Sequence, residues 1–389
     1  MREGIGLRED GNMLKDYEIE KIVEPLLNWF SKNARVLPWR ENPTPYYVWI
    51  SEIMLQQTRV EAVKPYFDRF VSALPDVEAL ANCPEDRLLK LWEGLGYYNR
   101  VRNLQAAARQ IVEEYDGVIP DDYENLIKLK GIGSYTAGAI ASIAYGKPRA
   151  AVDGNVLRVI SRVTADDSDI MSQKVRKNME DCLNELLQNY VLSQDTAVAG
   201  KGEKIPASKF NQALMELGAT VCVPNGAPHC DECPWGEICL AKREERIGEI
   251  PVKQKAKARR IEDMTVLVIR DGDRVAIQKR PERGLLAGLY ELPNTSGHLS
   301  EQAVLEYVKQ AGYQPLRIRQ LEDAKHIFSH VEWHMTGYVI WVESLDLKSG
   351  NVEGGQELLF VEARDARERY AIPAAFSKYA AYMNIPLGI

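Results

Sequence analysis

Nowhere does this 389-residue chain carry an uninterrupted apolar run close to the roughly 18 residues that a membrane-spanning helix needs. Its opening MREGIGLREDGN also lacks the basic-then-apolar order of an export signal, so a cytoplasmic protein with no membrane contact is expected. Positive charge is scarce too, with 49 Lys and Arg against 56 Asp and Glu and a net charge of −7. Such a chain has no basic shell, and any nucleic-acid contact has to be concentrated in one place. Cysteine is sparse at six residues, yet Cys222, Cys230, Cys233 and Cys239 crowd together. Without an export signal these four read as metal ligands before disulfides, while Cys83 and Cys182 sit in helical patterns and read as buried apolar fillers.

What the chain does have is an apolar fraction of 45% and a charged fraction of 27%, the balance of a globular protein, at a length that suits two or three domains. Residues 1–16 carry no apolar period and read as a flexible leader. From 17 to 245 helical spacing dominates, punctuated by Pro and Gly, which predicts an all-α region. Within it, Gln194 to Ser208 reads as a surface loop between a helix ending near Tyr190 and one starting near Lys209. Residues 246–261 include Lys253, Lys255, Lys257, Arg259 and Arg260 with no apolar face, a basic linker that serves either as a solvated hinge or as a strap along a DNA backbone. Beyond it, MTVLVIR, the Asp271-Gly272 turn and RVAIQKR predict a hairpin, TGYVIWVES more strands, and Leu299 to Ala311 a helix, so 262–389 is a mixed α+β domain.

Gly131-Ile132-Gly133 stands between a helix-like run from Tyr123 to Leu129 and a small-residue helix from about Ser134 to Tyr145. Glycines permit positive φ and close backbone approach, and amides opening the second helix can face an anion, which makes Gly131, Gly133 and Ser134 candidate phosphate contacts. A dinucleotide fingerprint fits poorly, because Gly138 is out of register and no strand precedes the turn; a structural helix turn remains the plain alternative. Asp153 lies in AAVDGNVLRV, where it can cap a new helix, or oppose a cationic, sugar-centred transition state, or do both. Glu52 sits among apolar residues in VWISEIMLQQTRVEAVKPYFDRF, read as one long amphipathic helix; if buried, it becomes a proton donor near neutrality, and otherwise it simply points to solvent.

Trp92 to Arg100 joins glycines, aromatics and a basic residue in a loop-then-helix segment that either wedges into a base stack or packs between helices. The cysteine spacing C-x7-C-x2-C-x5-C has one short knuckle where zinc sites usually have two, and favours a four-thiolate iron-sulfur cluster, with His229 a bystander. His326, His330 and His334 recur at every fourth residue and are read as a strand or loop edge, not as a metal site.

With LPWR (37–40), WISEIMLQQT (49–58), EGLGYYNR (93–100), LKGIGSYTAGAI (129–140), AVDGNV (151–156), the cysteine set and HIFSH (326–330), the chain resembles the MutY-type adenine DNA glycosylases of the helix-hairpin-helix superfamily. The resemblance covers nearly all of 20–380. It implies an all-α helix-hairpin-helix glycosylase domain with a 4Fe-4S cluster on Cys222, Cys230, Cys233 and Cys239, joined to an α+β Nudix-like domain. By that likeness Glu52 protonates a flipped adenine, Asp153 stabilises the oxocarbenium-like sugar, and Tyr135 and Asn155 support them. Glu216 borders the pocket, Trp39 and Arg40 match further pocket positions, and Gln57, Leu95 and Tyr97 match positions around the opposite base.

Bifunctional relatives place a Schiff-base lysine where Tyr135 stands, so the resemblance implies hydrolysis without lyase activity. The C-terminal domain carries a Nudix-like GLLAGLYELP, but LSEQAVLEYVKQAG replaces the acidic metal-binding helix, which implies binding without hydrolysis. The family reads 8-oxoguanine with this domain, a task carried over to Phe328, Ser329 and His330. The implied partner is double-stranded DNA with 8-oxoguanine:adenine or guanine:adenine mispairs, bound by a monomeric, nucleoid-associated protein of bacterial type. Two departures stand out: a first cysteine gap of seven residues where six is usual, and a longer 194–208 loop. An endonuclease III-like glycosylase with lyase activity, a non-catalytic DNA-binding protein and a Nudix hydrolase are the competing readings.

Overall fold

The region expected to be all-α folds into the helices Val23–Asn33, Pro45–Leu55, Val60–Ala73, Asn99–Glu114, Gly154–Thr164, Gln173–Asp195 and Ala207–Thr220, with shorter helices between them. The computed structural model describes residues 17–195, 207–254, 258–344, 346 and 358–383. The leader expected at 1–16, residues 196–206 of the expected loop, and Lys255 and Lys257 of the basic run lie outside the described residues. The flanking helices run to Asp195 and from Ala207, somewhat beyond the expected ends. Two compact units result, one of Met1–Asn82 with Asn103–Lys255, the other of Cys83–Arg102 with Ala256–Ile389.

In the first unit, Leu26 and Phe30, Leu157 and Ile160, and Phe210 and Leu214 bring three helices onto one core. The long helix expected from Val48 to Phe70 is instead two. Pro45–Leu55 starts on a Thr44 cap, whose hydroxyl accepts from Tyr47 N at 3.1 Å, and ends where Gln57 takes φ 59°. Arg59 is extended ahead of the second helix, Val60–Ala73. The physical reason lies in burial. Val48, Trp49, Ile50, Ser51, Glu52, Ile53 and Met54 are all buried, so the first helix has no solvent stripe, whereas Val63, Phe67 and Phe70 form one buried stripe on the second. A single straight helix could not satisfy both patterns.

The helix after the hairpin begins at Ser134 and passes at Ile140 into a π turn through Ala144. Cys83 is buried, but in the bend before the helix Glu85–Leu91 and not within a helix, while Cys182 is partly buried against the core of the first unit.

The second unit carries a mixed sheet. Strand β1 (Arg260–Asp271) turns through Gly272 into antiparallel β2 (Arg274–Lys279), pairing Asp271 with Arg274. It starts two residues inside the stretch read as linker. Strands β3 (Tyr290–Glu291), β4 (Asn294–Ser296), β5 (Pro315–Gln320), β6 (Ala324–Ile327), β7 (Val331–Val342) and β8 (Leu358–Glu362) complete it. The path is β3-β2-β1-β7-β5, with β1 and β7 parallel. Alternate residues of β1 enter two cores, Met264, Val266 and Val268 on one face and Leu267 and Ile269 on the other, which explains the unbroken apolar run. The expected helix forms at Glu301–Gln310 behind a Ser300 cap. The three histidines fall on β6, a hairpin tip and β7, not on a helix.

Candidate active site

Glu52 lies on a helix buried all round and is only 6% exposed. Burial pushes its carboxyl up to about 7; Asp153 adds to the rise, while a hydrogen bond from Tyr135 and the charge of Arg40 oppose it. The Tyr135 hydroxyl donates to Glu52 Oε2 and lies 3.7 Å from Met215 Sδ. Burial beside Glu52 and Asp153 raises that phenol well above its ordinary value, so it stays a neutral donor.

Asp153 is the N-cap of Gly154–Thr164. Its Oδ1 accepts from Asn155 N and Val156 N, and its Oδ2 from Asn155 Nδ2, each at 2.8 Å. Burial raises its carboxyl, while these donors and Arg158 pull the other way. Asn155 Oδ1 in turn accepts from Arg158 Nη2 at 2.9 Å, and Arg158 donates to Gly218 O at 2.7 Å and Cys222 O at 2.9 Å. One helix therefore ties the aspartate to the cysteine segment.

Glu216 contrasts with Glu52. It accepts from Arg35 N at 3.1 Å, Arg35 Nε at 2.6 Å, Arg35 Nη2 at 3.1 Å and Arg40 Nη2 at 2.8 Å, and the two guanidiniums hold its carboxyl below the usual range. Trp39 is buried, with Phe67 edge-on at 5.4 Å, and belongs to the core. Gln57 is exposed in its left-handed turn. Arg35 and Met215 were not singled out from the sequence; Arg35 sits in an irregular stretch with no period, and Met215 reads as ordinary helix filler.

Gly131 takes φ 76°, and a Cβ there would meet Asn103 Cβ at 2.6 Å, so the hairpin requires glycine. Gly133 caps the helix from Ser134 without a side-chain hydrogen bond. Gly131, Gly133, Ser134 and Tyr135 line a cavity of about 650 Å³ together with Gln56, Val152 and, from the helix Gln173–Asp195, Arg176 and Lys177. The hairpin, Tyr135 and the residue before Asp153 thus share one opening.

None of the four clustered cysteines is in a disulfide, and Cys222, Cys233 and Cys239 pack against the first unit's core beside Trp235. Burial raises Cys230, Cys233 (to about 12) and Cys239, and each also feels Cys222. Arg162 Nη1 donates to Cys222 Sγ at 3.3 Å. Among the described residues no three His, Cys, Asp or Glu are grouped tightly enough for a single metal ion.

In the second unit, Phe328, Ser329 and His330 form the tip between β6 and β7, closed by Phe328 N donating to Val331 O at 2.8 Å. Ser329 Oγ and His330 Nδ1 are 3.1 Å apart. Phe328 stacks edge-on with Trp333 at 4.8 Å and His326 at 4.6 Å. Leu95 is buried and Tyr97 is 49% exposed at φ 48°.

The family model of the HhH-GPD superfamily base excision DNA repair proteins matches residues 50–185, and a NUDIX domain model matches 265–382. The adenine DNA glycosylase of Rattus norvegicus is 32% identical over 91% of this chain and 77% of its own length, and that of Buchnera aphidicola (Acyrthosiphon pisum) is 32% identical over 81% and 85%. The chain belongs to the adenine DNA glycosylase family. Among the described residues no helix is long and apolar enough to cross a membrane.

Proposed function

We propose that this protein hydrolyses the N-glycosidic bond of adenine paired with 8-oxoguanine, or with guanine, in duplex DNA, acting as a monomer. The observation that carries this reading is Glu52, a fully buried carboxyl raised to about 7 and hydrogen-bonded by Tyr135, within electrostatic reach of Asp153. Adenine is a poor leaving group as an anion, and protonation on a ring nitrogen makes it a good one. With its Oε2 taken by Tyr135, Glu52 presents Oε1 as the proton donor. Bond breaking releases neutral adenine and leaves a sugar with cationic character, which the Asp153 carboxylate, held by Asn155 and Val156, stabilises until water adds to it and returns a proton to Glu52.

Tyr135 is an alcohol where a lyase needs an amine, so the products are free adenine and an intact abasic strand. Gly131, Gly133 and Ser134 hold a backbone phosphate at the cavity mouth. Arg40 and Glu216 form a buried ion pair that braces the helices around Glu52. In the second unit the exposed Tyr97 is suited to meet the strand opposite the adenine, with Leu95 packed behind the same turn, and Phe328, Ser329 and His330 to read the oxidised guanine. Flipping is least costly at a mispair, which favours these substrates.

The four thiols suit a 4Fe-4S cluster. Burial raises Cys230, Cys233 and Cys239, so bare thiolates there are unfavourable unless a cationic core balances them. Cys222, Cys230, Cys233 and Cys239 would hold it, anchoring the segment against Arg162. When bound, such a cluster would supply structural and electrostatic support to the segment. Iron and sulfide analysis should give four of each per chain, and zinc in their place would overturn the assignment.

The test of function is excision on duplexes holding adenine opposite 8-oxoguanine, guanine or thymine, followed by alkali to cut abasic sites. Alkali-dependent cleavage at adenine opposite 8-oxoguanine supports the reading. Cleavage without alkali would favour a lyase, and no cleavage would favour a binding protein.

A further inference from the structure

Glu93 adjoins the Gly94–Tyr97 turn and reaches residues 370–372 of the same unit. Its Oε1 accepts from Ile372 N at 2.8 Å, and its Oε2 accepts from Lys90 Nζ at 2.6 Å. Lys90 Nζ also donates to Tyr370 O at 3.0 Å. Nearby, Arg102 Nη2 donates to Ala287 O at 2.7 Å while its Nε bonds Glu85 at 2.7 Å. The segment Cys83–Arg102 is thereby fastened to two separate stretches of the sheet unit, within which it falls. Both Lys90 and Glu93 side chains are about three-quarters or more withdrawn from solvent, at 20% and 24% exposure, so their bond is shielded from screening.

The turn itself is preorganised. Gly94 and Gly96 take φ 98° and 68°, and Tyr97 is held at φ 48°, which is strained for an aromatic residue. Arg100 Nη2 donates to Leu95 O at 2.8 Å and Gly96 O at 3.0 Å, and Trp92 Nε1 donates to Gly96 O at 3.1 Å. Arg100 also lies over Trp92 at 5.3 Å and Tyr97 at 5.6 Å. A strained turn persists only where its surroundings fix it, and here Glu93 supplies the link from the turn to residues 370–372.

We propose that Glu93 is a positioning residue, which locks the Gly94–Tyr97 turn to the body carrying Phe328–His330 so that the two act as one reader of the base opposite adenine. This rests on the glycosylase function proposed above. The Phe328 tip shares a core with this region, since Phe328 and Tyr370 both pack on the cluster containing Trp333 and Ile372. Severing the Glu93 bonds leaves the turn free to shift relative to the tip. Partner-base preference then falls, while the chemistry on adenine is left intact.

Single-turnover excision from 8-oxoguanine:adenine and guanine:adenine duplexes tests this in the full-length protein, with Glu93→Ala, Glu93→Gln, Phe328→Ala and the double variant Glu93→Ala/Phe328→Ala. A wild type that excises no adenine would sink the functional reading itself, apart from this inference. The inference predicts that Glu93→Ala lowers the preference for the 8-oxoguanine duplex roughly tenfold, as expected for one lost charge-assisted hydrogen bond, with little change on guanine:adenine. Glu93→Gln keeps an acceptor for Ile372 N and should restore much of the preference. The Phe328→Ala loss should shrink in the Glu93→Ala background, because coupled sites are not additive. A preference unchanged in Glu93→Ala, or losses that multiply fully as for independent sites, would overturn the proposal. Should Glu93→Ala fail to fold, Lys90→Met carries the same test with the same expected direction and the same overturning result.

Discussion

Glu52 and Glu216 are both buried glutamates of the helical unit, yet burial drives Glu52 up to about 7 while Arg35 and Arg40 hold Glu216 below the carboxylate range. Burial alone therefore does not make an acid. A carboxyl without a cation within hydrogen-bonding reach keeps its proton, and one gripped by two guanidiniums gives it up and becomes a brace. Arg40 takes part in both environments, bonded to Glu216 and acting at longer range on Glu52. One unit thus holds a carboxyl that keeps its proton near neutrality and another that is a fixed anion.

Several substitutions would break or sharpen this contrast. On the proposed mechanism Asp153→Asn removes the charge set against the sugar; one oxygen still accepts from Asn155 N and Val156 N, the new amide no longer accepts from Asn155 Nδ2, and single-turnover excision should fall about 10²- to 10³-fold. Glu216→Gln leaves two arginines without their anion and should cost about 3 kcal/mol in chemical unfolding, since breaking a buried ion pair leaves charge uncompensated. Its contribution is present above the ordinary carboxylate value and is lost as pH falls, so the wild-type advantage should narrow in acid.

Glu52→Gln should behave in the opposite sense. With its folded value raised, Glu52 favours the fold at low pH and loses that contribution as pH rises through about 7. The variant should therefore gain in melting temperature relative to wild type at about pH 8 and gain less at about pH 5. The smallest effect is expected for Tyr135→Phe, which removes one hydrogen bond worth about 1 kcal/mol. Because that bond lowers the Glu52 value, its loss should move the descending limb of the rate profile to higher pH.

Much of this contrast could be read from the sequence only in outline. Asp153 beside Gly154 signalled a helix start, the hairpin glycines signalled the turn, and the Asp271-Gly272 turn after β1 with the alternation in β7 signalled the sheet. Full burial of Glu52 did not follow from local pattern. The stretch after Leu55 offers no Gly or Pro to announce the left-handed turn at Gln57, so two helices with different surroundings read as one amphipathic helix. Arg35 was invisible for a related reason, because it reaches Glu216 across 181 residues of sequence. The attachment of Lys90 and Glu93 to Tyr370 and Ile372 likewise spans distant sequence and leaves no periodic trace.

The most direct test is the pH dependence of single-turnover adenine excision from an 8-oxoguanine:adenine duplex, for wild type and Glu52→Gln. The wild-type rate should be steady in mild acid and fall tenfold per pH unit above about 7, as Glu52 loses its proton. The variant should be slower by about 10²-fold or more and should lack that limb. A Glu52→Gln protein that excised adenine at the wild-type rate, with the same descending limb, would contradict the account.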